Sequence, residues 1–534
     1  MAHSPLFGSM GRALRIAAWS DAHGLSRTQM RELVRREADA RESLRLKRRE
    51  FLAAASAALA ASPLLAAAAP PGRAPRIAIV GGGLAGLACA DQLRRRGLVA
   101  EIYEATARVG GRCHSLRITL GVQVAELGGE FIDTTHQTMR QYAVEFGLAD
   151  ELADSGLGGT IYEFDGMRVD EEDIVDEYRI LVPRIRADIQ TLSGEPSFAA
   201  HTEADIALDE LPLADWLATR AADLPLVRAA LDEAYVAEYG LESQEQSCLN
   251  LLMFLHADRR RRFTPFGVFS DERFHLVGGN DAIATRIAAR LPGAIETNRS
   301  LVRLSRTTQQ AFLLEFASGP SVVADFVVLT VPFSVLRSID LAPNLALGVD
   351  KRRAIAELGY GTNAKTMLGF HGRPWLAAGC NGSVYSDRPS VQATWETNQS
   401  LAGPLSGILT DYASGLRGAE LGGASVAARA AEFLSDLDGI VPGASAAVRR
   451  NPDGSPQAAR AHWASIPTAL GSYTCYRPGQ FTGIGGLEGV PVGRLKFAGE
   501  HADSFYSWQG FMEGACLSGI AAAQSIVRDL RRGE

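Results

Sequence analysis

The feature that most constrains the fold is a glycine-rich turn between a strand-like segment and a helix-like segment. Residues Arg76 to Val80 read R-I-A-I-V, which is typical of a short buried strand, and they lead directly into Gly81-Gly82-Gly83-Leu84-Ala85-Gly86. The apolar periodicity that follows, up to about Gly97, predicts a helix. A strand, a glycine turn and a helix in this order are typical of a unit that binds a dinucleotide.

Each glycine in this turn has a separate physical task. Gly81 permits the tight turn, Gly83 lets the backbone approach a pyrophosphate, and Gly86 lets the helix pack closely on the strand. A second predicted strand, Val99 to Tyr103, ends at Glu104, 18 residues after Gly86. A carboxylate at this place can hold both hydroxyls of a ribose, so the spacing favours dinucleotide binding over an ordinary glycine turn.

Length and composition indicate a large folded protein. The 534 residues exceed what one core usually fills, and 46% hydrophobic with 22% charged residues fits neither a disordered chain nor a multispan membrane protein. Residues after Ala69 carry a net charge of about -12. Such an acidic surface disfavours nucleic acid as a partner.

The amino-terminal segment predicts an export signal. Leu46 to Phe51 read L-K-R-R-E-F, and an Ala-rich apolar run from Leu52 to Ala69 follows. The pattern resembles a twin-arginine signal, which implies the twin-arginine export machinery as a partner and a periplasmic or exported protein. Pro63 and the weakly apolar alanines disfavour a membrane helix. We expect residues 1–69 to be a leader cleaved near Ala69, with export without cleavage as an alternative.

The six cysteines are scattered along the chain. No two of them form a C-x-x-C pair, and no group has the spacing of metal ligands. This pattern predicts neither a disulfide framework nor a metal site.

Several further motifs follow the dinucleotide pattern in a fixed order. They are A-T-A-R-V-G-G-R at Ala105 to Arg112, L-G-G-E-F at Leu127 to Phe131, F-H-L-V-G-G-N-D-A-I at Phe274 to Ile283, V-V-L-T-V-P at Val327 to Pro332, and the segments Asn363 to Trp375 and Gly471 to Gly519. Together they resemble the flavin-containing amine oxidase family, which includes monoamine, polyamine and L-amino-acid oxidases. The resemblance extends from about Pro75 almost to the end of the chain.

The resemblance implies an α/β fold of two interleaved domains. A Rossmann-type FAD-binding domain would consist of residues 75–140, 271–336 and 466–534. A discontinuous α+β substrate-binding domain would consist of residues 141–270 and 337–465.

The resemblance also assigns the cofactor site. Arg112 would contact the flavin pyrophosphate, Gly128 and Gly129 would bring backbone against the isoalloxazine ring, and Val302 would hold the adenine through its main chain. The strand and turn at Leu495 to Glu500 would meet the ribityl and phosphate region. The predicted cofactor-binding residues are Gly81, Gly83, Ala85, Gly86, Glu104, Ala105, Arg112, Gly128, Gly129, Val302, Gly499, Glu500, Gly510 and Met512.

Three predicted catalytic residues follow from the same resemblance. Tyr473 and Phe511 match the pair of aromatic rings that flank the substrate amine, although the family more often has Tyr at the position of Phe511. Lys365 matches a lysine that holds a water near the reactive nitrogen of the flavin and assists reoxidation. Lys365 is one of only four lysines, and it lies within an apolar strand-like segment, which points to a task that arginine does not perform.

The position of Ser472 predicts that FAD binds without a covalent link. Monoamine oxidases carry at this position the cysteine that joins the flavin, and a hydroxyl cannot form that thioether. Cys475, three residues further on, is not expected to substitute for it.

The substrate is predicted to be a small amine. Many L-amino-acid oxidases have an arginine at the place of Phe131 that clamps the substrate carboxylate, so Phe131 favours a primary or secondary amine oxidised to an imine, with oxygen as acceptor. An L-amino-acid oxidase or dehydrogenase that uses oxygen or a quinone is the alternative, with Arg262 or Arg273 as the anchor. Glu130 would favour a cationic substrate or support the flavin loop.

Other functions and the oligomeric state stay open at this point. A flavin-dependent desaturase and a flavoprotein without catalytic function are two further classes, and both a monomer and a homodimer are compatible with the sequence. Phe263, Phe266, Phe269 and Phe274 would line a channel or belong to the core. The basic run Arg259 to Arg262 is expected to be a solvated loop.

Overall fold

The structure is a computed structural model that describes most of the chain after the leader. The described residues are 74–117, 119–120, 123–149, 152–154, 159–254, 272–291, 294–397, 406–423, 425–502 and 508–533. The predicted export signal, the run Arg259 to Arg262, and Phe263, Phe266 and Phe269 lie outside them.

The strands are short and are numbered in chain order. They are β1 (Ile77–Val80), β2 (Glu101–Tyr103), β3 (Ser115–Leu116), β4 (Ala125–Glu126), β5 (Leu152–Asp154), β6 (Ile161–Phe164), β7 (Met167–Val169), β8 (Phe274–Leu276), β9 (Ile295–Glu296), β10 (Leu301–Arg306), β11 (Phe312–Phe316), β12 (Val322–Ala324), β13 (Phe326–Leu329), β14 (Asp340–Leu341), β15 (Ala364–Phe370), β16 (Val384–Arg388), β17 (Val391–Glu396), β18 (Gly407–Ala413), β19 (Ala458–His462) and β20 (Leu495–Phe497).

The α-helices are numbered in the same way. They are α1 (Leu84–Arg94), α2 (Gln137–Glu145), α3 (Glu171–Thr191), α4 (Glu203–Asp209), α5 (Leu213–Arg220), α6 (Pro225–Tyr239), α7 (Leu249–Phe254), α8 (Asp281–Ala289), α9 (Phe333–Leu336), α10 (Val349–Glu357), α11 (Pro374–Ala377), α12 (Gly415–Glu420), α13 (Val426–Ile440), α14 (Ala444–Ala447), α15 (Gln480–Gly483) and α16 (Met512–Arg532).

A five-stranded parallel sheet forms the first layer, in the order β20-β13-β1-β2-β9. The predicted strand, glycine turn and helix are β1, the turn at Gly81 to Gly83, and α1. Every residue of β1 and β13 is buried, as is typical of parallel strands covered on both faces. The parallel sheet with its packed helices confirms the predicted α/β, Rossmann-type class.

Helices α1 and α16 pack against each other beside this sheet, and glycines make the packing close. A Cβ atom on Gly86 would lie 2.0 Å from the carbonyl oxygen of Gly81. One on Gly519 of α16 would lie 2.1 Å from the carbonyl oxygen of Ala85 in α1. Gly519 therefore lets α16 pack on the first turn of α1, next to the glycine turn.

A second, seven-stranded sheet has the order β19-β15-β18-β17-β16-β6-β7. Its pairs are antiparallel except for β16 with β6. Strand β15 matches the predicted apolar segment and is buried along its whole length, with Lys365 at its second position. This sheet and helices α3 to α7 supply the α+β part of the fold.

The sequence pattern from Leu213 to Leu231 predicts a helix, and the structure divides it in two. Helix α5 ends at Arg220 and α6 begins at Pro225. Proline is favoured at the first position of a helix and disfavoured in its interior, because it lacks a backbone donor. Both helices bury apolar residues in the same core cluster, among them Leu213 and Leu217 of α5 and Val227 and Leu231 of α6.

All six cysteines are free and buried. Within the described ranges, each helix is too short or too polar to cross a membrane.

Replacement of Gly519 by alanine should destabilise the protein. The added methyl group would meet the backbone of α1, and overpacking of this kind costs about 1–3 kcal/mol. Gly483→Ala in α15 is the matched control, because a Cβ atom there meets no atom within 4 Å. Thermal unfolding should show a lower midpoint for Gly519→Ala alone, and equal midpoints for the two variants would contradict the close-packing argument.

Candidate active site

One cavity of about 340 Å³ extends from the glycine turn after β1 to the start of α16. Most of the residues predicted to bind the cofactor line it. They are Gly81, Gly83, Ala85, Glu104, Ala105, Arg112, Gly129, Val302, Gly499, Glu500, Gly510 and Met512, and the predicted catalytic residue Phe511 lines it as well. Gly86 lies behind the cavity, where it packs α1 on β1, and Gly128 lies beside it, next to Lys365.

The dinucleotide end of the cavity is built from two glycine turns and a fixed carboxylate. Gly81 has a φ of +109°, which favours glycine, and Gly83 lies against the backbone of Gly111. Glu104 follows β2, and its Oε2 accepts a hydrogen bond of 2.7 Å from the backbone N–H of Gly82. Thr106 donates to the other oxygen through its backbone and hydroxyl. These bonds hold the carboxylate at the cavity wall.

Two helix amino termini meet the same cavity. Neither α1 nor α16 has a side-chain cap, and the first residues of both, Leu84 and Met512, line the cavity. Uncapped N–H groups and the positive end of the helix dipole favour an anion. The arrangement therefore fits a ligand with negative charge at two separate places.

Arg112 and Glu500 form an ion pair in the cavity wall. Arg112 Nη1 donates to Glu500 Oε1 at 2.9 Å and to the carbonyl oxygen of Ser472 at 2.8 Å. The other oxygen of Glu500 accepts from the hydroxyl of Thr474 and the backbone N–H of Gly510. Burial alone would raise the pKa of the Glu500 carboxyl, but the guanidinium and the hydrogen bonds outweigh burial, so the pKa lies below its usual value.

Lys365 lies beside the cavity, and three acceptors surround its ammonium group. Nζ donates to Glu130 Oε2 at 2.7 Å, to the carbonyl oxygen of Gly128 at 2.8 Å and to that of Glu126 at 3.1 Å. These three acceptors belong to the protein itself, and the water that the resemblance implies between this lysine and the flavin stays a prediction. A small pocket next to Nζ, lined also by Trp395, has room for about one water.

The second carboxylate near Lys365 belongs to Glu126. It accepts hydrogen bonds from the backbone N–H of Asn280 and from the hydroxyl of Ser115, both 2.8 Å long. Burial raises the pKa of this carboxyl well above its usual value, and the nearby Glu130 carboxylate adds to the rise. Through these hydrogen bonds, Glu126 supports the loop from Gly128 to Glu130, which is called the flavin loop below.

The aromatic side of the site contains the two predicted rings. Tyr473 and Phe511 are both buried, and a Cβ atom on Gly510 would lie 3.6 Å from the Tyr473 ring, so the two aromatic residues are close in space. The Tyr473 hydroxyl donates to the carbonyl oxygen of Glu238 and lies 3.1 Å from the Tyr412 hydroxyl. Phe511 has no hydroxyl, so of these two rings only Tyr473 forms hydrogen bonds.

Sequence reasoning missed part of the cavity wall. Thr330, Val331 and Pro332 after β13 line it, as do Trp463 and the segment 467–469. The first three belong to the V-V-L-T-V-P motif, which gave them no role. The end of a central parallel strand is where ligands bind in such sheets, and this rule would have identified them.

The family comparison agrees with this geometry. The family of flavin containing amine oxidoreductases matches residues 84–527 of the chain, which include helix α1 after the glycine turn, the lysine strand β15 and most of the final helix α16. The chain belongs to this family. It is an FAD-dependent oxidoreductase that acts on amines.

Relatives within the family differ in their substrates. The flavin-dependent L-tryptophan oxidase of Lentzea aerocolonigenes is 26% identical over 483 residues, which cover 84% of this chain and 98% of that protein. Flavin-containing amine oxidase B of Sus scrofa is 24% identical over 475 residues, which cover 84% of this chain and 86% of that protein.

Solved structures show the same fold. Cyclohexylamine oxidase from Brevibacterium oxydans IH-35A has a TM-score of 0.72 at 21% identity, with 86% of this chain and 100% of that chain covered. Putrescine oxidase bound to putrescine has a TM-score of 0.71 at 20% identity, with 85% and 99% covered.

The residues of the cavity fit FAD. The glycine turn leaves no Cβ atoms in the place where a pyrophosphate approaches, Glu104 faces the cavity as a ribose acceptor, and two uncapped helix ends supply donors. Among the described residues, no group of three or more histidines, cysteines and carboxylates has the arrangement of a metal site.

Acid should destabilise the protein through His501, which follows Glu500. His501 is buried against Phe333, neither of its ring nitrogens has a hydrogen-bond partner, and burial lowers its pKa to about 4. The unfolded chain binds a proton near pH 6.5, so stability falls by about 1.4 kcal/mol per pH unit as the pH drops from 6.5 toward 4.

The variant His501→Phe should lose this share of the acid sensitivity, and the exposed His201→Phe is its control. Denaturant unfolding of the FAD-loaded proteins at pH 7 and pH 5 measures the effect. A drop in stability that is as large in His501→Phe as in the parent would contradict it.

Proposed function

We propose that this enzyme uses noncovalent FAD to oxidise a primary or secondary amine to an imine, which water converts to a carbonyl compound, while oxygen becomes hydrogen peroxide. The observation that carries the proposal is a single cavity that begins at the dinucleotide turn and ends at Phe511, with Tyr473 and Lys365 beside its far end. The cofactor region and the region for an amine are thus continuous.

The chain's own residues divide the work of binding. Glu104 would hold the ribose, the start of α1 would hold the pyrophosphate, and Val302 would contact the adenine through its main chain. Arg112 would lie by the pyrophosphate, and the start of α16 would face the flavin ring. FAD, when bound, accepts the hydride from the amine carbon.

Aromatic rings would orient the substrate. Tyr473 and Phe511 present apolar faces that exclude water and favour the uncharged amine from which a hydride leaves. Tyr473 is held by its hydroxyl, which bonds to the carbonyl of Glu238, so its ring has a fixed orientation. Tyr412 supports the same hydroxyl from β18.

Two observations support noncovalent FAD. Ser472, at the place of the cysteine that binds flavin in monoamine oxidases, is buried and donates to the side-chain oxygen of Asn363 at 2.5 Å. Cys113 lines the cavity, but burial raises its pKa well above the usual value, which keeps the thiol protonated and unreactive. Cys475 is buried beside Asn250 and does not line the cavity.

The buried charges near the substrate region favour amines over amino acids. Phe131 is buried and packs on Trp395, so no guanidinium occupies that place. Two arginines with little exposed surface, Arg373 just before α11 and Arg429 in α13, form ion pairs with Glu396 and Asp411. Neither of these arginines is available as a carboxylate anchor.

An L-amino-acid oxidase or dehydrogenase is the second candidate, and one observation favours it. Backbone hydrogen bonds join Ile132 and Phe274 in both directions, which places Arg273 next to the segment that contains Phe131. An anchoring arginine can therefore come from the second segment instead of the first. In this case the acceptor would be oxygen or a quinone.

Export of the folded enzyme is part of the proposal. The L-K-R-R-E-F segment before an apolar run supports transport through the twin-arginine machinery, cleavage near Ala69 and a periplasmic enzyme. This route carries folded proteins, which suits a chain that must take up FAD before it is exported.

A peroxide assay separates the two candidates. The purified enzyme is incubated with a panel of primary and secondary amines and a panel of L-amino acids, with oxygen alone and with an added quinone. We expect peroxide from amines with oxygen. Peroxide from amino acids alone would favour the second candidate. Turnover that requires the added quinone would show that a quinone, and not oxygen, is the electron acceptor.

Replacement of Lys365 by methionine should slow the reoxidation of reduced FAD without releasing it, because the ammonium beside the flavin loop is lost while the cavity wall is kept. Stopped-flow mixing of the reduced enzyme with oxygen measures the rate, and the visible spectrum reports bound FAD. Lys351→Met is the matched control, since Lys351 is a buried lysine that does not line the cavity. Reoxidation of Lys365→Met at the parent rate would contradict the role.

A further inference from the structure

Glu130 is a fully buried carboxylate with a donor on each oxygen. Oε2 accepts from Lys365 Nζ at 2.7 Å, and Oε1 accepts from Trp395 Nε1 at 3.0 Å. Glu130 comes from the loop after β4, in the first domain, whereas Lys365 and Trp395 come from β15 and β17 of the second sheet. The carboxylate therefore joins the two domains at the catalytic lysine.

The hydrogen bonds of Lys365 require its charged form. A lysine ammonium has three hydrogens to donate, and Nζ has three acceptors at 2.7, 2.8 and 3.1 Å. A neutral amine would have only two hydrogens for them. The three acceptors thus match the three hydrogens of the ammonium.

Other titratable groups surround the pair. Burial raises the pKa of the Glu126 carboxyl and of the Tyr412 and Tyr473 hydroxyls, and burial lowers the pKa of His275, so these four groups favour their neutral forms. Glu272 acts on Tyr412 from the segment before β8. Glu130 is the carboxylate in direct contact with the ammonium.

We propose that Glu130 is a positioning residue that keeps Lys365 charged and fixed beside the flavin, so that Lys365 acts in reoxidation as a stationary positive charge. The inference rests on the proposed function, since it assigns the reduction of oxygen to this site. Oxygen would take two electrons from the reduced flavin and two protons from the flavin and solvent to become hydrogen peroxide, and it is negatively charged after an electron has arrived and before the protons have followed. A fixed cation in a buried site favours this change, because little solvent screens it.

The test compares two carboxylates in nearly identical surroundings. Glu130→Gln keeps the shape and removes the charge. Glu396→Gln is the matched control, because Glu396 is also buried and also accepts from a cation, Arg373, and from an indole N–H, that of Trp375 at 2.9 Å. Glu396 lines neither the cavity nor the small pocket at Lys365.

The first measurement follows the charge of Lys365 directly. The chain has only four lysines, so protein with ¹³C- and ¹⁵N-labelled lysine gives few signals, and the Lys365→Met variant assigns the one that matters. In the FAD-loaded protein we expect the Lys365 signal to titrate at a pH lower by at least about one unit in Glu130→Gln than in the parent, because a buried cation without its counter-charge releases its proton more readily. Glu396→Gln should titrate like the parent.

The second measurement is the pH profile of reoxidation. In Glu130→Gln the rate should fall as the pH rises through the new Lys365 titration, and at high pH it should approach the rate of Lys365→Met. The parent and Glu396→Gln should keep their rate over that range. Glu130→Asp, which retains the charge, should restore most of the parent profile.

The outcomes are separable. An unchanged Lys365 titration in Glu130→Gln overturns the proposal, even if amine oxidation proceeds. A parent protein whose FAD no amine or amino acid reduces overturns the proposed function, while the lysine titration still shows whether Glu130 controls the charge. If Glu130→Gln does not retain FAD, Glu130→Asp is compared with Glu130→Asn, because these two variants differ mainly in charge. The Lys365 signal must then titrate at a lower pH in Glu130→Asn than in Glu130→Asp.

Discussion

Close backbone packing at the amino-terminal ends of α1 and α16 is the constraint on which the rest of the structure depends. Gly86 and Gly519 let the two helices approach the strand and each other, and the first residues of both helices line one cavity. Gly129 lies against the side chain of Met512, where a Cβ atom would come within 2.7 Å of its sulfur. Two positive helix ends thus meet one cavity, so packing sets the position of the groups that the proposal assigns to the cofactor.

The second sheet supplies the lysine that lies beside the cavity. Strand β15 carries Lys365 out of the second domain and into contact with the loop of Gly128 and Glu130. A buried ion pair alone does not stabilise a fold strongly, because both charges lose water, but it fixes the relative position of its two carriers. The lysine, the flavin loop and the Trp395 indole are therefore held as one unit.

The sequence predicted the dinucleotide turn and the strand of Lys365 well, since their determinants are local. The glycine turn, the carboxylate after β2 and the apolar strand of Lys365 are each contained within a few residues, so pattern and spacing reveal them. Contacts between residues far apart in the sequence were harder to predict. Nothing near Glu130 in the sequence indicates Lys365 as its partner, 235 residues away.

The pattern that predicted one helix from Leu213 to Leu231 also missed a feature of the tertiary structure. The helical pattern from Leu213 to Leu231 runs across a break marked by Pro225, and α5 and α6 both bury apolar residues in one core cluster. The roles of Thr330 and Trp463 in the cavity also depend on the end of a central strand and on a chain segment far from it. Such contacts arise when sheets assemble, and a local pattern does not encode them.

The most direct test of the central claim is an anaerobic titration of the purified, FAD-loaded enzyme with a primary amine, followed in the visible spectrum. The account predicts that the flavin absorbance disappears in proportion to the amine added, one molecule for each bound FAD, and that admission of air restores it with release of hydrogen peroxide. A yellow protein that neither amines nor L-amino acids bleach would contradict the account.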